Sequence, residues 1–299
     1  MSDRPPQRET SVSRRTSATA LCLLAALAVL AAVFCGAADA APQRDWLHTL
    51  QVVANLRADP PKKPLVILLG GSSARECVIS DAVWAAQVEH LSGPSIVAYD
   101  LGSRNRSFAR DLKLVGELPP GPTVVFIGVC VGRFTQAPAD PVLSLPAPSP
   151  IPADYDAHEY STAGILSAAQ KRQIVRQWLT RRYPVFTERY SYNLGVLREL
   201  IATCQAKNFY PVLLDLPRNI AVIGHALDRP IARYHSSCAR LATRYRIPFL
   251  NFVREAGLVN RDFVDLWHLV EPGRAKWQPI LSARTFTRLA KYGLGATAR

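Results

Sequence analysis

Five short apolar runs rich in β-branched residues alternate with stretches of helical period between residues 64 and 292. The runs are Leu65 to Leu69, Ile96 to Leu101, Val124 to Val129, Val212 to Leu216 and Pro248 to Phe252. An unbroken apolar run of that length fits a strand buried on both faces. Helical periodicity fills residues 79–91, 107–118, 166–182, 186–207, 230–244 and 273–292. The alternation predicts βαβ units with right-handed crossovers, hence a three-layer α/β/α sandwich around a central, mostly parallel, five-stranded sheet. Ligands of such sheets bind beyond the carboxyl ends of the strands.

Two segments fall outside this pattern. Residues 136–155 contain Pro138, Pro141, Pro146, Pro148, Pro150 and Pro152 and can form neither a helix nor a central strand. They are expected to be a long insertion after the third strand, acting either as a lid or as an ordered surface connection. At the other end of the chain, Arg14 and Arg15 precede an uncharged apolar run, residues 18–38, followed by Ala38-Asp39-Ala40. Residues 1–40 therefore read as a signal peptide or an N-terminal membrane anchor, and residues 41–299 as the α/β domain. Phe34 stands where a lipoprotein signal needs a small residue, so Cys35 is not expected to carry a lipid. The domain is placed outside the cytoplasm, as a secreted, periplasmic or membrane-anchored protein.

The 299-residue chain has a formal net charge of +13, of which +12 belongs to residues 41–299. That excess favours an anionic membrane or envelope polymer as partner. Nucleic acid is not expected, because no zinc pattern, helix-turn-helix signal or aromatic-interleaved basic stripe is present. Cys77, Cys130, Cys204 and Cys238 show no CxxC spacing, so neither a metal site nor a redox pair is suggested. Cys204 and Cys238 are the better-placed pair for a disulfide, but buried free thiols are preferred.

The first strand runs into Gly70-Gly71-Ser72-Ser73-Ala74-Arg75, a strand-to-helix turn that holds a serine hydroxyl at the edge of the sheet. Far along the chain, Asp265 and His268 stand three residues apart, a spacing that would share one face of a helical turn. The carboxylate can then orient the imidazole while its other nitrogen meets the serine. His90, His158, His225 and His235 are expected to lack an acid at comparable spacing. Arg75, Arg104, Arg133 and Arg218 lie just past strand ends, and Arg75, Arg133 and Arg218 are candidate substrate-binding residues.

On these blocks the sequence resembles the SGNH or GDSL hydrolase superfamily over most of residues 64–282. The first block matches Gly70-Gly71-Ser72-Ser73-Ala74-Arg75, which puts the nucleophile on Ser72, or on Ser73 if the register slides by one. The DxxH block falls on Asp265 and His268. The resemblance implies a flavodoxin-like sheet and an oxyanion site built from the Ser72 amide, Asn105 and position 130, where Cys130 replaces the family's Asn. It implies a serine-dependent esterase, acyl hydrolase or acyltransferase that needs no cofactor or metal and acts on an ester of an envelope carbohydrate or lipid. Gly71 and Cys130 keep open a degraded member that binds envelope polysaccharide, and the Gly-Gly-Ser-Ser amides keep open a plain anion-binding module.

Overall fold

A computed structural model describes residues 44–138, 142–151 and 158–294, and those from Asp45 onward belong to one compact unit, Asp45–Arg299. The expected signal or anchor over residues 1–40, including Cys35, lies outside the described residues. Among the described residues no helix is long and apolar enough to cross a membrane.

The chain begins with helix α1 (residues 44–58) and strand β1 (Leu65–Leu69), followed by α2 (Ser72–Arg75), α3 (Asp81–His90) and β2 (Val97–Asp100). Next come α4 (Phe108–Glu117), β3 (Thr123–Val129), α5 (Ala168–Gln177) and α6 (Tyr183–Ala206). The last elements are β4 (Tyr210–Asp215), α7 (Ile220–Ile223), α8 (Asp228–Tyr245), β5 (Phe249–Leu250) and α9 (Glu271–Lys291). All strand pairs are parallel, in the order β2-β1-β3-β4-β5. β1 coincides with its expected run, and the other strands overlap theirs with ends shifted by at most two residues. The expected fifth run contributes only two residues to the ladder.

Period-2 geometry splits each buried strand between two cores. Leu65, Ile67 and Leu69 of β1 pack in one core with α1, α4, α6 and α8, represented by Leu56, Leu114, Leu197 and Leu241. Val66 and Leu68 point the other way, onto Trp84 and Val88 of α3 and Trp277 and Leu281 of α9. The result is a three-layer α/β/α fold. Successive strands are added on opposite sides of β1, so the direction of winding reverses between β1 and β3. The crevice beyond those two strand ends is where such a sheet takes ligands.

Helix α5 does not stop where its period predicts but runs through a π turn, Trp178–Arg182, into α6. The cause is Pro184, which has no N–H for the carbonyl of Thr180 and crowds it. The Tyr183 N–H donates instead to Trp178 O, five residues back. Of the proline-rich insertion, residues 136–138 and 142–151 are described, and the second stretch is irregular. It lies along α1, where Asn55 donates to Ser149 O at 2.8 Å and accepts from Ser149 N at 3.0 Å. Leu143, Leu145 and Ile151 pack on the first core. This part behaves as an ordered surface connection. The four cysteines of the described region are free thiols, so Cys204 and Cys238 are not joined.

At the end of β2, burial pushes the Asp100 carboxyl up to about 8, and Asp81 adds to the rise. Asp100 Oδ1 accepts from Gly102 N at 2.8 Å, while Oδ2 has no partner among the described residues. A carboxyl whose folded value is raised destabilises the native state once it ionises. Its penalty is absent below the unfolded value and grows as pH rises towards the folded one. Asp100→Asn should therefore stabilise the fold by on the order of 2 kcal/mol at pH 8 and by almost nothing near pH 4, as read by urea unfolding across that window.

Candidate active site

The Ser72 turn is possible only because two glycines leave room. A Cβ on Gly70 would lie 2.4 Å from the Cβ of Ala74, and one on Gly102 would lie 2.4 Å from the Arg75 amide nitrogen. The second contact seats the β2–α4 loop directly on α2, where Ser103 N also donates to Gly70 O at 3.2 Å. Asn105 then follows with φ of 51°, a left-handed value that Asn tolerates better than most residues. Among the described residues, no acceptor is bonded to the amides of Ser72 or Asn105.

His268 reaches this turn from the far end of the chain. Its Nε2 lies 2.8 Å from Ser72 Oγ, and its Nδ1 lies 2.8 Å from Asp265 Oδ2. With Nδ1–H donating to the carboxylate, Nε2 is left to accept from the serine hydroxyl. The spacing works by a different backbone from the one expected, because Asp265 and His268 do not share a helical turn. They sit in a bend closed by an antiparallel bridge between Phe263 and Leu269. Asp265 Oδ1 shapes the bend by accepting from the Trp267 and His268 amides at 2.8 and 3.0 Å. Short polar side chains build such turns readily. Burial works to raise the Asp265 carboxyl, but the imidazole and these two amides outweigh it and hold the group below its usual value. Ser73 is buried in α2, and no hydrogen bond joins it to His268.

The loop carrying His268 is fastened by polar groups that have left water. Lys171 Nζ, with no side-chain exposure, donates to Asn260 O, Asn260 Oδ1 and Phe263 O at 2.8–2.9 Å. Asn219 donates to Asp265 O at 3.2 Å, and the Tyr160 ring lies tilted beside the imidazole, with centroids 4.8 Å apart. Glu76 joins the two halves of the site. Its Oε1 accepts from Arg75 Nε and Glu159 N, and its Oε2 accepts from Arg274, which also donates to Leu269 O.

Ser72 and His268 open into a cavity of about 250 Å³ whose wall includes Asn105 and Cys130. Burial pushes the Cys130 thiol up, and nearby amides and Arg133 offset this only in part, so the sulfur stays protonated near neutral pH. It is a weak donor and a poor nucleophile in that state.

No protein-family model matches the chain, and no curated protein matches it. Solved structures that align with it include a lipolytic G-D-S-L family protein from Veillonella parvula, at 13% identity and TM-score 0.46 over 76% of this chain and 100% of that one. A GDSL-like lipase from Bacteroides thetaiotaomicron aligns at 11% identity and TM-score 0.43, covering 80% and 97%. AlinE4, an SGNH-hydrolase family esterase, aligns at 13% identity and TM-score 0.40, covering 80% and 99%.

The arginine expectations need correction. Arg75 is 2% exposed and spent on Asp45, Glu76 and Glu159, so it braces the serine turn instead of meeting substrate. Arg218 binds Asp215 and Tyr234 and borders a separate cavity with His235 and Arg254. Arg104 pairs with Glu159. Of the three candidates only Arg133 reaches the cavity of Ser72. The histidine expectation fails at His225, which has Asp228 three residues on, at 2.8 Å. It holds for His235, whose acid, Asp215 at 3.0 Å, stands 20 residues back in the chain. His225 is 99% exposed at the side chain, and neither histidine borders the cavity of Ser72. Residues missed from the sequence include Glu76, Tyr160, Lys171 and three cavity residues, Arg106, Trp178 and Arg182. The one sequence signal for the last two was Pro184, in the short gap between two stretches of helical period.

Removing one partner from a buried ion-pair group leaves uncompensated charge behind. Glu76→Gln should therefore cost about 3 kcal/mol in urea unfolding, more than the same change at an exposed acid such as Glu188.

Proposed function

We propose that the protein is a serine-dependent ester hydrolase or acyltransferase with Ser72 as nucleophile. The observation that carries this is the continuous hydrogen-bonded chain from Ser72 Oγ through both nitrogens of His268 to Asp265, set at the mouth of a cavity. Ser72 Oγ attacks the acyl carbon as its proton passes to His268 Nε2. Asp265 fixes the imidazole tautomer and stabilises the imidazolium that results. In this reading the amides of Ser72 and Asn105 receive the oxyanion. The proton on Nε2 then goes to the leaving alkoxide, giving an acyl-serine and a free alcohol. Water or a second alcohol, deprotonated by His268, attacks the acyl-serine and regenerates Ser72. No step calls for a metal or a cofactor.

The substrate we propose is an ester on an envelope carbohydrate or lipid, met outside the cytoplasm. The apolar run at residues 18–38 and the +12 charge of residues 41–299 support that placement. Gly71 and Cys130 favour a weaker relative of this kind, a polysaccharide-binding protein with little turnover, Cys130 because a thiol stands where a stronger oxyanion donor would help.

Two comparisons on a short-chain p-nitrophenyl ester test the reading. Ser72→Ala should remove measurable turnover, and Asp265→Asn should lower kcat by about 10³ to 10⁴, since the imidazole loses its enforced tautomer. Equal turnover in the wild type and Ser72→Ala would rule the mechanism out. Cys130→Asn should raise kcat, by up to the ~10²-fold that one added oxyanion donor supplies, whereas Cys130→Ala should change it little. Turnover lost in the folded Cys130→Ala variant would mean that the thiol itself takes part.

A further inference from the structure

The cavity beside Ser72 is basic to a degree that the acyl-transfer steps do not require. Arg106, Arg133 and Arg182 border it, and no carboxylate does among the described residues. Arg106 and Arg133 are 0% and 2% exposed and share one carboxylate, Asp111, which is itself fully buried. Two guanidinium groups against one acid leave one positive charge uncompensated in the wall. Their remaining surfaces are largely taken. Arg133 lies 4.1 Å over the Phe108 ring and donates to Gly128 O, while Arg106 lies 5.1 Å from the Trp46 ring and donates to Leu101 O. Even so, Arg106 Nη2 and Arg133 Nε have no partner among the described residues. Both atoms are sealed from solvent, so they do not touch the contents of the cavity themselves, but they leave the positive charge of its wall only partly satisfied.

The third arginine comes from the π turn. Trp178 and Arg182 both border the cavity, and the turn exists because Pro184 breaks the helical ladder. Such local widening is frequent at functional sites because it re-aims side chains. Arg182 is exposed and has no acid partner among the described residues.

We infer that this cavity recognises a substrate carrying an oxyanion, a carboxylate or phosphate group, which sits between the Arg106–Arg133 wall and Arg182. Arg182 supplies a charged donor at the mouth, and the two buried guanidinium groups supply the field behind it. Trp178 and Trp267 give flat apolar walls for the part of the ligand that joins the anion to the ester. That this ligand is the substrate rests on the proposed role of Ser72; that the cavity binds an oxyanion does not.

Binding is measured on the full-length Ser72→Ala chain, so that no turnover intervenes, by tryptophan emission and by calorimetry. The probes are succinate and inorganic phosphate. One or both should give a saturable response, and whichever binds names the group. Arg182→Gln should weaken it about tenfold, as expected for loss of a charge-assisted hydrogen bond. Arg244→Gln, on α8 and outside this cavity, should leave it unchanged, which separates the site from the general basic charge of the chain. A response to neither probe, or equal weakening in both variants, would overturn the inference. Anion binding as expected in a chain whose wild type cleaves no ester would instead sink the role of Ser72 and leave the oxyanion site standing.

Discussion

Glu76 has no solvent exposure, yet its two oxygens gather Arg75, Arg274 and the Glu159 amide, and these bonds join parts of the chain almost two hundred residues apart. Arg75 belongs to α2, which begins with Ser72. Arg274 also holds Leu269 O, one residue past His268. The distance between serine and imidazole is thus set from behind, through charged hydrogen bonds in a dry region where few other arrangements are tolerable. Burial works to raise the Glu76 carboxyl while both arginines and His158 oppose it, a balance that the folded packing alone maintains. Such a group adds little net stability compared with a well-packed apolar one. Its contribution is registration.

The sheet supplies the rest of the geometry. β1 delivers the serine turn and β3 delivers Cys130 at neighbouring carboxyl ends, on the two sides of the point where winding reverses. The β2–α4 loop can close over α2 only because Gly102 has no Cβ. The imidazole arrives from a bend organised by the same Asp265 that orients it, so one side chain both shapes the backbone through Oδ1 and fixes the tautomer through Oδ2.

The layer order and the Ser72, Asp265 and His268 positions were legible in the sequence because each rests on local pattern: unbroken apolar runs alternating with helical period, a glycine turn, and a short acid-to-histidine spacing. The backbone of that spacing was not legible, since three-residue separation fits a helical turn and an Asx-type bend equally well, and only the Phe263–Leu269 bridge selects the bend. Arginine roles were the least accessible. Arg75, Arg133 and Arg218 all follow strand ends, but what each touches depends on Asp45, Asp111 and Asp215, and only the fold brings Asp45 and Asp111 to their arginines. Arg182 was hidden in another way, because a regular helix would have aimed it elsewhere and the π turn had to be seen first.

Activation of Ser72 by His268 is read by treating the full-length chain with a fluorophosphonate and mapping the adduct by mass spectrometry. A single phosphonylated serine is expected, at Ser72, formed in the wild type and lost in His268→Ala. An adduct on Ser73, or labelling of Ser72 that is indifferent to His268, would show that His268 does not activate Ser72.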